Sequence, residues 1–400
     1  MLVPDSHAVA MIGVIRSLGR AGYPVHACAE TPDALGFGSR YAARHAVCPP
    51  IGAPAFLSWM NGYVAEHGIR AIIPTERLLL AIRPEFETLA PLFPVGRDET
   101  RLYDGLAKFD QFRQLHEGGD AVVARHLPPM VLVASDEPLP PLEAFAALPT
   151  PLFVKVDKRH GRHDGAGSAV HVAQDAGDAR RMVETLRADY DKLIVQGYVA
   201  GRGAAAVFLS WGGRTRAEFM NLCLHETPHT GGYCTLRESW RNEAMLAHAR
   251  TCLRIIGWEG VSMLEYRWDD ASGDFHLIEI NPRFWASLHV ALYAGMDLPR
   301  MLLDAFHGHA EDEAPGYRVG VRCRLAVPAE ISYVVSCLRD AALPWPRRLW
   351  PVAEFFALFL DMRVKADLYF PGDRKLYWRE WRRFLRGLSS DRRGAGTTDT

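Results

Sequence analysis

The chain has 400 residues, too many for one compact core and suited to two or three lobes. Its 46 Lys and Arg against 47 Asp and Glu leave a formal charge of −1, so no global field holds nucleic acid or an anionic membrane by charge alone. With 48% hydrophobic and 23% charged residues, the balance is that of a globular protein and not of a disordered one.

Leu2–Pro4 is predicted as a first strand. Ala8, Met11, Ile12, Ile15 and Leu18 then recur at helical spacing, with Ser6 as N-cap and Gly19 and Gly22 as the stop. Tyr23–Ala29 predicts the next strand, Pro54–His67 an amphipathic helix, and Gly68–Pro74 another strand. This alternation over residues 1–100 predicts a parallel α/β lobe. No GxGxxG follows the first strand, so a dinucleotide site there has no support. Around Pro128–Pro151 the texture becomes Pro-rich, with a short apolar run (Met130–Val133) and a short helix (Leu142–Leu148). Leu152–Val156 predicts a strand, Asp157–Ser168 a Gly- and His-rich loop, Ala169–Val172 a strand, Ala179–Tyr190 a helix and Leu193–Gln196 a strand. From there to Asn281 the pattern is mostly strands with one helix, Asn242–Ile256, an α+β texture. The segment 311–388 is aromatic and Arg-rich and predicts a helical appendage; 389–400 predicts a disordered tail.

The N-terminus carries no basic stretch followed by an apolar run and a cleavage site, so no signal peptide is expected. The apolar stretch Trp350–Leu360 is broken by Pro351 and Glu354 and is shorter than the ~20 residues a bilayer requires. Seven Cys with no CxxC pair predict reduced thiols in a cytoplasmic protein.

Val261–Arg283 carries the most chemistry. Two apolar strands flank Asp270-Ala271-Ser272-Gly273, a turn composition. If Asp270 pairs with Asp274, Glu265 lies opposite Glu279, and Asn281 shares the face of Glu279. Leu264, Tyr266, Ile278 and Ile280 then point to the core. Two carboxylates about 5 Å apart repel each other. A hard divalent cation such as Mg²⁺ would relieve that repulsion, although a solvated acidic strand face has the same pattern. Arg283 follows, placed for a phosphoryl group or a carboxylate. Lys155 is one of only six lysines. It lies near the end of an apolar strand, before a basic loop whose Gly165 and Gly167 allow backbone N–H groups close to phosphate. No G-K-[ST] occurs, which excludes a Walker-type loop.

His225-Glu226-Thr227-Pro228-His229 matches HExxH by letter. In zinc peptidases that motif is helical. Here Pro228 falls inside it, at a cost of ~3 kcal/mol in a helix, and strand-like sequence flanks it. A zinc hydrolase using His225, Glu226 and His229 therefore stands as an alternative, and a non-catalytic ATP-sensing module as another.

Leu277-Ile278-Glu279-Ile280-Asn281-Pro282-Arg283-Phe284-Trp285-Ala286-Ser287, followed by Ala294–Pro299, resembles the metal strand and next helix of the ATP-grasp superfamily. The likeness is to its carboxylate–amine ligase branch, related to carbamoyl-phosphate synthase and D-aspartate ligase. Leu193–Gly201 resembles the hinge whose backbone meets adenine. Phe153-Val154-Lys155 resembles the phosphate-Lys strand, and Ala107-Lys108-Phe109 the earlier Lys at a helix start. Ser39-Arg40-Tyr41 resembles a signature of the N-terminal lobe, and Pro228–Gly232 a loop before a substrate-side strand.

The resemblance spans roughly residues 1–310. It implies a pre-ATP-grasp lobe (1–100), an ATP-grasp domain of two subdomains (101–310, with the phosphate loop in 151–200) and the appendage. ATP would be held by Lys108, Lys155, Gly165, Gly167, Ser168, Gln196, Tyr198 and Val199, and Mg²⁺ by Glu265, Glu279 and Asn281. Glu279 and Arg283 would serve the chemistry, with Gly231, Gly232, Arg237, Glu238 and Trp285 near the substrate. A carboxylic acid and an amine, amino acids by expectation, would be joined through an acylphosphate, with ADP and phosphate released. No nucleic-acid partner is implied. A homodimer and a weak membrane or partner contact through the C-terminal aromatic segment remain open. Two departures stand out: Val156 replaces the Pro that usually follows the phosphate Lys, and Gly197 replaces the acid that usually follows the hinge Gln.

Overall fold

A computed structural model of the chain describes residues 1–163, 167–309 and 316–394, with side chains as far as Gly387. Its first sheet is parallel, ordered β1 (Leu2–Val3), β2 (His26–Ala29), β3 (Arg44–Val47), and Ile72 bridges to Leu2 in the same sense. The expected strand Gly68–Pro74 shrinks to that single bridge, and Pro74 has no N–H with which to extend it. β3 escaped the sequence reading because it is a short edge strand with little buried side chain. The first helix, Val9–Arg20, is buried from Ala10 to Leu18. Its N-cap is Ala8, not Ser6, whose hydroxyl donates instead to the Val3 carbonyl at 3.0 Å. The helix Pro54–His67 has the expected bounds and ends on Gly68 at φ +57°, a left-handed turn that glycine adopts without strain.

The second sheet is antiparallel, built from β4 (Met130–Ala134), β5 (Leu152–Val156), β6 (Ala169–Ala173) and β7 (Lys192–Gly197) in the order β4-β7-β5-β6. The helix Ala176–Leu186 packs on it through Ala179 and Val183. The third sheet comprises β8 (Arg202–Trp211), β9 (Arg214–Thr227), β10 (Tyr233–Ser239), β11 (Gly260–Trp268), β12 (Phe275–Asn281), β13 (Arg322–Arg324) and β14 (Lys365–Ala366), ordered β12-β11-β8-β9-β10-β13-β14. Its last two strands come from the C-terminal segment. That segment also carries the helices Ile331–Arg339, Trp345–Leu360 and Lys375–Gly394. The last helix runs past Ser389, where a disordered tail was expected; residues 395–400 lie outside the described residues, as does 310–315, where the 310/311 boundary was placed.

The C-terminal segment is tied to the first lobe by buried charge. Arg16, in the middle of the first helix, is fully buried and reaches the Asp373 carboxylate at 2.9 Å. It also donates to the Asp367 carbonyl at 2.7 Å and the Leu368 carbonyl at 2.9 Å. Ser39 donates to Asp373 at 2.7 Å, the Arg40 N–H donates to the same carboxylate at 3.1 Å, and the Tyr41 hydroxyl meets the Pro371 carbonyl at 3.4 Å. The Ser39-Arg40-Tyr41 signature is thus the receptor for residues 371–373. Asp373→Ala would leave Arg16 buried without its counter-charge, at a cost of about 3–5 kcal/mol. A lowered denaturant midpoint, with earlier proteolytic release of the C-terminal segment, is the expected outcome. A loss below about 1 kcal/mol, the worth of a surface pair, would contradict it.

Candidate active site

β11 and β12 form a hairpin closed by Asp269, whose N–H donates to the Asp274 carbonyl at 2.9 Å. The turn therefore closes one position away from the expected Asp270–Asp274 pairing, and Trp268 faces Phe275 and Tyr266 faces Leu277. A bulge at Ile278 takes up the extra residue, so Glu265 still faces Glu279, and Asn281 lies opposite Met263. The two offsets cancel at the site but not in the core. Leu277, not Ile278, is buried with Leu264, Tyr266 and Ile280, while Ile278 turns to line the site.

The acidic face is held by hydrogen bonds and two lysines. Asn281 Nδ2 donates to Glu279 Oε1 at 2.7 Å and to Glu265 Oε1 at 3.3 Å, and its Oδ1 lies 3.4 Å from Arg283. Lys108, the first residue of the helix Lys108–Glu117, forms an ion pair with Glu279. Burial and then the charge of Glu279 raise the Glu265 pKa. Burial acts the same way on Glu279, but the charge and hydrogen bond of Lys108, with Asn281 and Lys155, outweigh it and lower the pKa. Lys155, on β5, is pulled down to about 8 by burial, against the upward pull of Glu279. Two opposed carboxylates and an amide are oxygen donors suited to Mg²⁺, which normally keeps waters and phosphate oxygens as its other ligands. Among the described residues no group of three or more His, Cys, Asp or Glu converges as a self-contained metal cage.

Gln196 of β7 is buried, and its Nε2 has no hydrogen-bond partner among the described residues, an orphan donor that a nucleotide would satisfy. The Tyr198 N–H is already committed to the Pro149 carbonyl at 2.8 Å. The Val199 N–H makes no hydrogen bond among the described residues and is the available backbone donor. Gly197 is explained by packing: a Cβ there would fall 2.7 Å from Pro149 Cδ. Within the loop, Gly167 accepts from the Tyr190 hydroxyl at 2.7 Å, and Ser168 Oγ accepts from the Lys158 N–H at 3.1 Å, so both pin the loop's base. Gly165 lies outside the described residues.

Beside the carboxylates opens a cavity of about 380 Å³, with Gly203, Ala204 and Ala205 as its floor and Glu265, Arg267, Arg283 and Trp285 around it. Gly232 lines it. Gly231 sits under Arg267, whose Nη2 would lie 2.7 Å from a Cβ there. Arg237 is not in the wall. It lies on the same sheet face, opposite Cys223 and Cys323, but is fully buried away from the cavity and paired with Asp367. Glu238 is engaged by Arg322 at 2.5 Å and is also not in the wall. Sequence reasoning missed Glu76, which ion-pairs with Arg159 of the loop at 3.2 Å and with Arg283 at 3.8 Å. It also missed the Glu226–Arg267 pair at 2.8 Å. Glu76 had one signal, an acid in the first turn of a helix after Thr75; the other pair depends on strand contacts remote in sequence.

The zinc arrangement does not form. His225 and Glu226 lie on strand β9, not on a helix, and the two histidines are engaged separately. His225 meets Glu330 at 2.9 Å and Glu354 at 3.3 Å, and His229 meets Asp340 at 2.9 Å. The expectation of wholly reduced thiols also fails. Cys223 of β9 and Cys234 of β10 form a disulfide with Cα atoms 5.6 Å apart, in the wall of the cavity. The β9–β10 pairing brings them together, and Cys spacing alone does not reveal that.

Burial alone would lower the pKa of His225, but Glu330 and Glu354 override it and raise it to about 9. With the folded value above the unfolded one, this contribution is complete below about pH 6.5 and is lost as pH rises through about 9. Melting temperatures of the wild type and His225→Gln should therefore converge over that window. Parallel curves would contradict the assignment.

Residues 229–326 match a family described as ATP-grasp in the biosynthetic pathway with Ter operon. No curated protein matches the chain in sequence. Among solved structures, biotin carboxylase from Campylobacter jejuni in complex with β,γ-ATP superposes with TM-score 0.56 at 16% identity, over 80% of this chain and 74% of that one. L-amino acid ligase from Bacillus licheniformis gives 0.55 at 14%, over 76% and 73%. N5-carboxyaminoimidazole synthetase from Staphylococcus aureus, complexed with ADP, gives 0.55 at 14%, over 79% of each chain.

Proposed function

From the ATP-grasp fold, of carboxylate–amine ligase type, we propose that this chain joins a carboxylic acid to an amine at the expense of ATP, through an acylphosphate, releasing ADP and phosphate. The observation that supports this reading most is the meeting of Glu265, Glu279 and Asn281 with Lys108 and Lys155 beside a small-residue cavity.

Lys155 and Lys108 would neutralise phosphate oxygens, and Gln196 and the Val199 N–H would receive the base. Mg²⁺ held by Glu265, Glu279 and Asn281 would supply charge neutralisation at the transferring phosphoryl group. A half-turn of the Asn281 amide exchanges its donor for the oxygen that such a role requires. The substrate carboxylate would occupy the cavity over Gly203–Ala205, a floor with no side chain larger than methyl. Its oxygen attacks the γ-phosphorus, and the bond to the β-phosphate oxygen breaks to leave ADP. The amine nitrogen then attacks the acyl carbon, loses its proton and expels phosphate. Arg283 carries its charge where negative charge develops on the acyl oxygen. Its ion pair with Glu76 spans 3.8 Å, loose enough to exchange for a substrate oxygen. The acylphosphate is prone to hydrolysis, so the loop that follows Lys155 would act by excluding water. Amino acids are the substrate class this reading favours, and the cytoplasm is the compartment it expects.

Glu279→Gln should lower turnover by about 10²-fold or more in a chain that still folds, since it removes the carboxylate charge and its ion pair with Lys108 but no apolar core contact. Lys155→Ala should weaken ATP binding by about 10–100-fold, the worth of one hydrogen bond to a charged group. Full turnover in the first variant, or unchanged affinity in the second, would overturn the site assignment. ATP binding with no turnover for any acid and amine would favour the sensing module.

A further inference from the structure

The helix Trp345–Leu360 has two unlike faces. Inward, Phe355 and Phe359 cover the Arg324 guanidinium at 5.3 and 4.1 Å, and Glu354 ion-pairs with His225. Outward, Trp345, Leu349, Ala353, Phe356 and Leu360 recur at helical spacing, a stripe without a single charged residue. Trp345 is 70% exposed, Phe356 64% and Leu360 83%, and Trp350 at the stripe's edge is 66% exposed. A solvent-facing helix ordinarily puts charge there, and a contiguous apolar surface of this kind marks an interaction site.

The stripe continues into a cationic face. Phe359, next to Leu360 of the stripe and itself 41% exposed, contacts Trp381 at 6.4 Å between ring centroids and so sets the helix Lys375–Gly394 beside the stripe. That helix exposes Lys375, Trp378, Arg379, Arg382, Arg383 and Leu385. Between residues 341 and 387 there are ten Lys and Arg against five Asp and Glu, in a chain whose net charge is −1. Arg347, Lys375 and Arg382 are exposed and have no acidic partner among the described residues.

We propose that this face docks on the surface of a bilayer containing anionic lipid, with the apolar stripe at the acyl boundary and the Lys and Arg side chains at the headgroups. Exposed tryptophans beside arginines are the chemistry of a membrane–water interface. The protein would lie on the bilayer and not cross it: among the described residues no helix is long and apolar enough to span. A second copy of the chain suits the face less well, since two-fold pairing would set the same cations against each other. The inference does not depend on the reading of the active site.

The test is co-flotation of the full chain with vesicles of mixed phosphatidylcholine and phosphatidylglycerol, against phosphatidylcholine alone. Binding should favour the mixed vesicles, weaken with salt, and fall about tenfold or more in Phe356→Glu/Leu360→Glu, whose side chains are exposed in the fold. An Arg382→Glu variant should lose the preference for the anionic lipid. Failure to bind either vesicle, or equal binding to both, overturns the proposal. So does a lipid-free dimer, seen by sedimentation velocity, that the double substitution dissociates, since a second copy would then cover the stripe. An acidic protein captured through the same face, without vesicle binding, overturns it likewise.

Discussion

Glu265 and Glu279 face each other across one pair of strands, and the rest of the site answers that repulsion. Unrelieved, two half-buried carboxylates at this separation cannot both ionise freely, and the opposite directions of their pKa shifts reflect it. Three cationic or donor groups converge in response: Lys108 from a helix start, Lys155 from a different sheet, and the Asn281 amide from the same strand. The arrangement needs both sheets to approach, so this charged face is a product of the tertiary fold and not of one hairpin. Divalent cation and polyphosphate together would meet the same demand, with the lysines then turning to phosphate oxygens.

Buried charge also decides where the C-terminal segment goes. Arg16 and Arg237 are both fully buried, and they end on Asp373 and Asp367, carboxylates only six positions apart in one short stretch. One arginine comes from the first helix and the other from β10. The stretch 367–373, which directly follows the edge strand β14, therefore clamps the N-terminal lobe to the large sheet. Burying such pairs is costly, and breaking either is costlier still, which makes this docking specific. The helices Ile331–Arg339 and Trp345–Leu360 then cover the outer end of β9, and the second leaves its far side apolar.

Local patterns were legible in the sequence. The helix Pro54–His67, the strand carrying Lys155 and the carboxylate face of the hairpin follow from period and turn composition, because neighbours in sequence settle them. The hairpin also shows the limit. Turn closure at Asp269 and the bulge at Ile278 offset each other, so Glu279 landed as expected while Leu277 and Ile278 exchanged places. Arg237 was misread because its partner lies 130 residues away, and no local pattern announces Asp367. The Cys223–Cys234 bond and Glu76 have the same character: each depends on strand pairing or lobe contact. The Ser39-Arg40-Tyr41 motif was visible as a resemblance, but its work, holding residues 371–373, appears only in the folded chain.

The central claim is that the carboxylates and lysines of this site serve transfer of the γ-phosphoryl group to a carboxylate. The most direct test is the identity of the nucleotide formed from ATP and Mg²⁺ in the presence of pooled amino acids and small carboxylic acids. The account predicts ADP and phosphate, formed only with pools that contain the true acid. AMP and pyrophosphate would mean that the acid attacks the α-phosphate, and would contradict it.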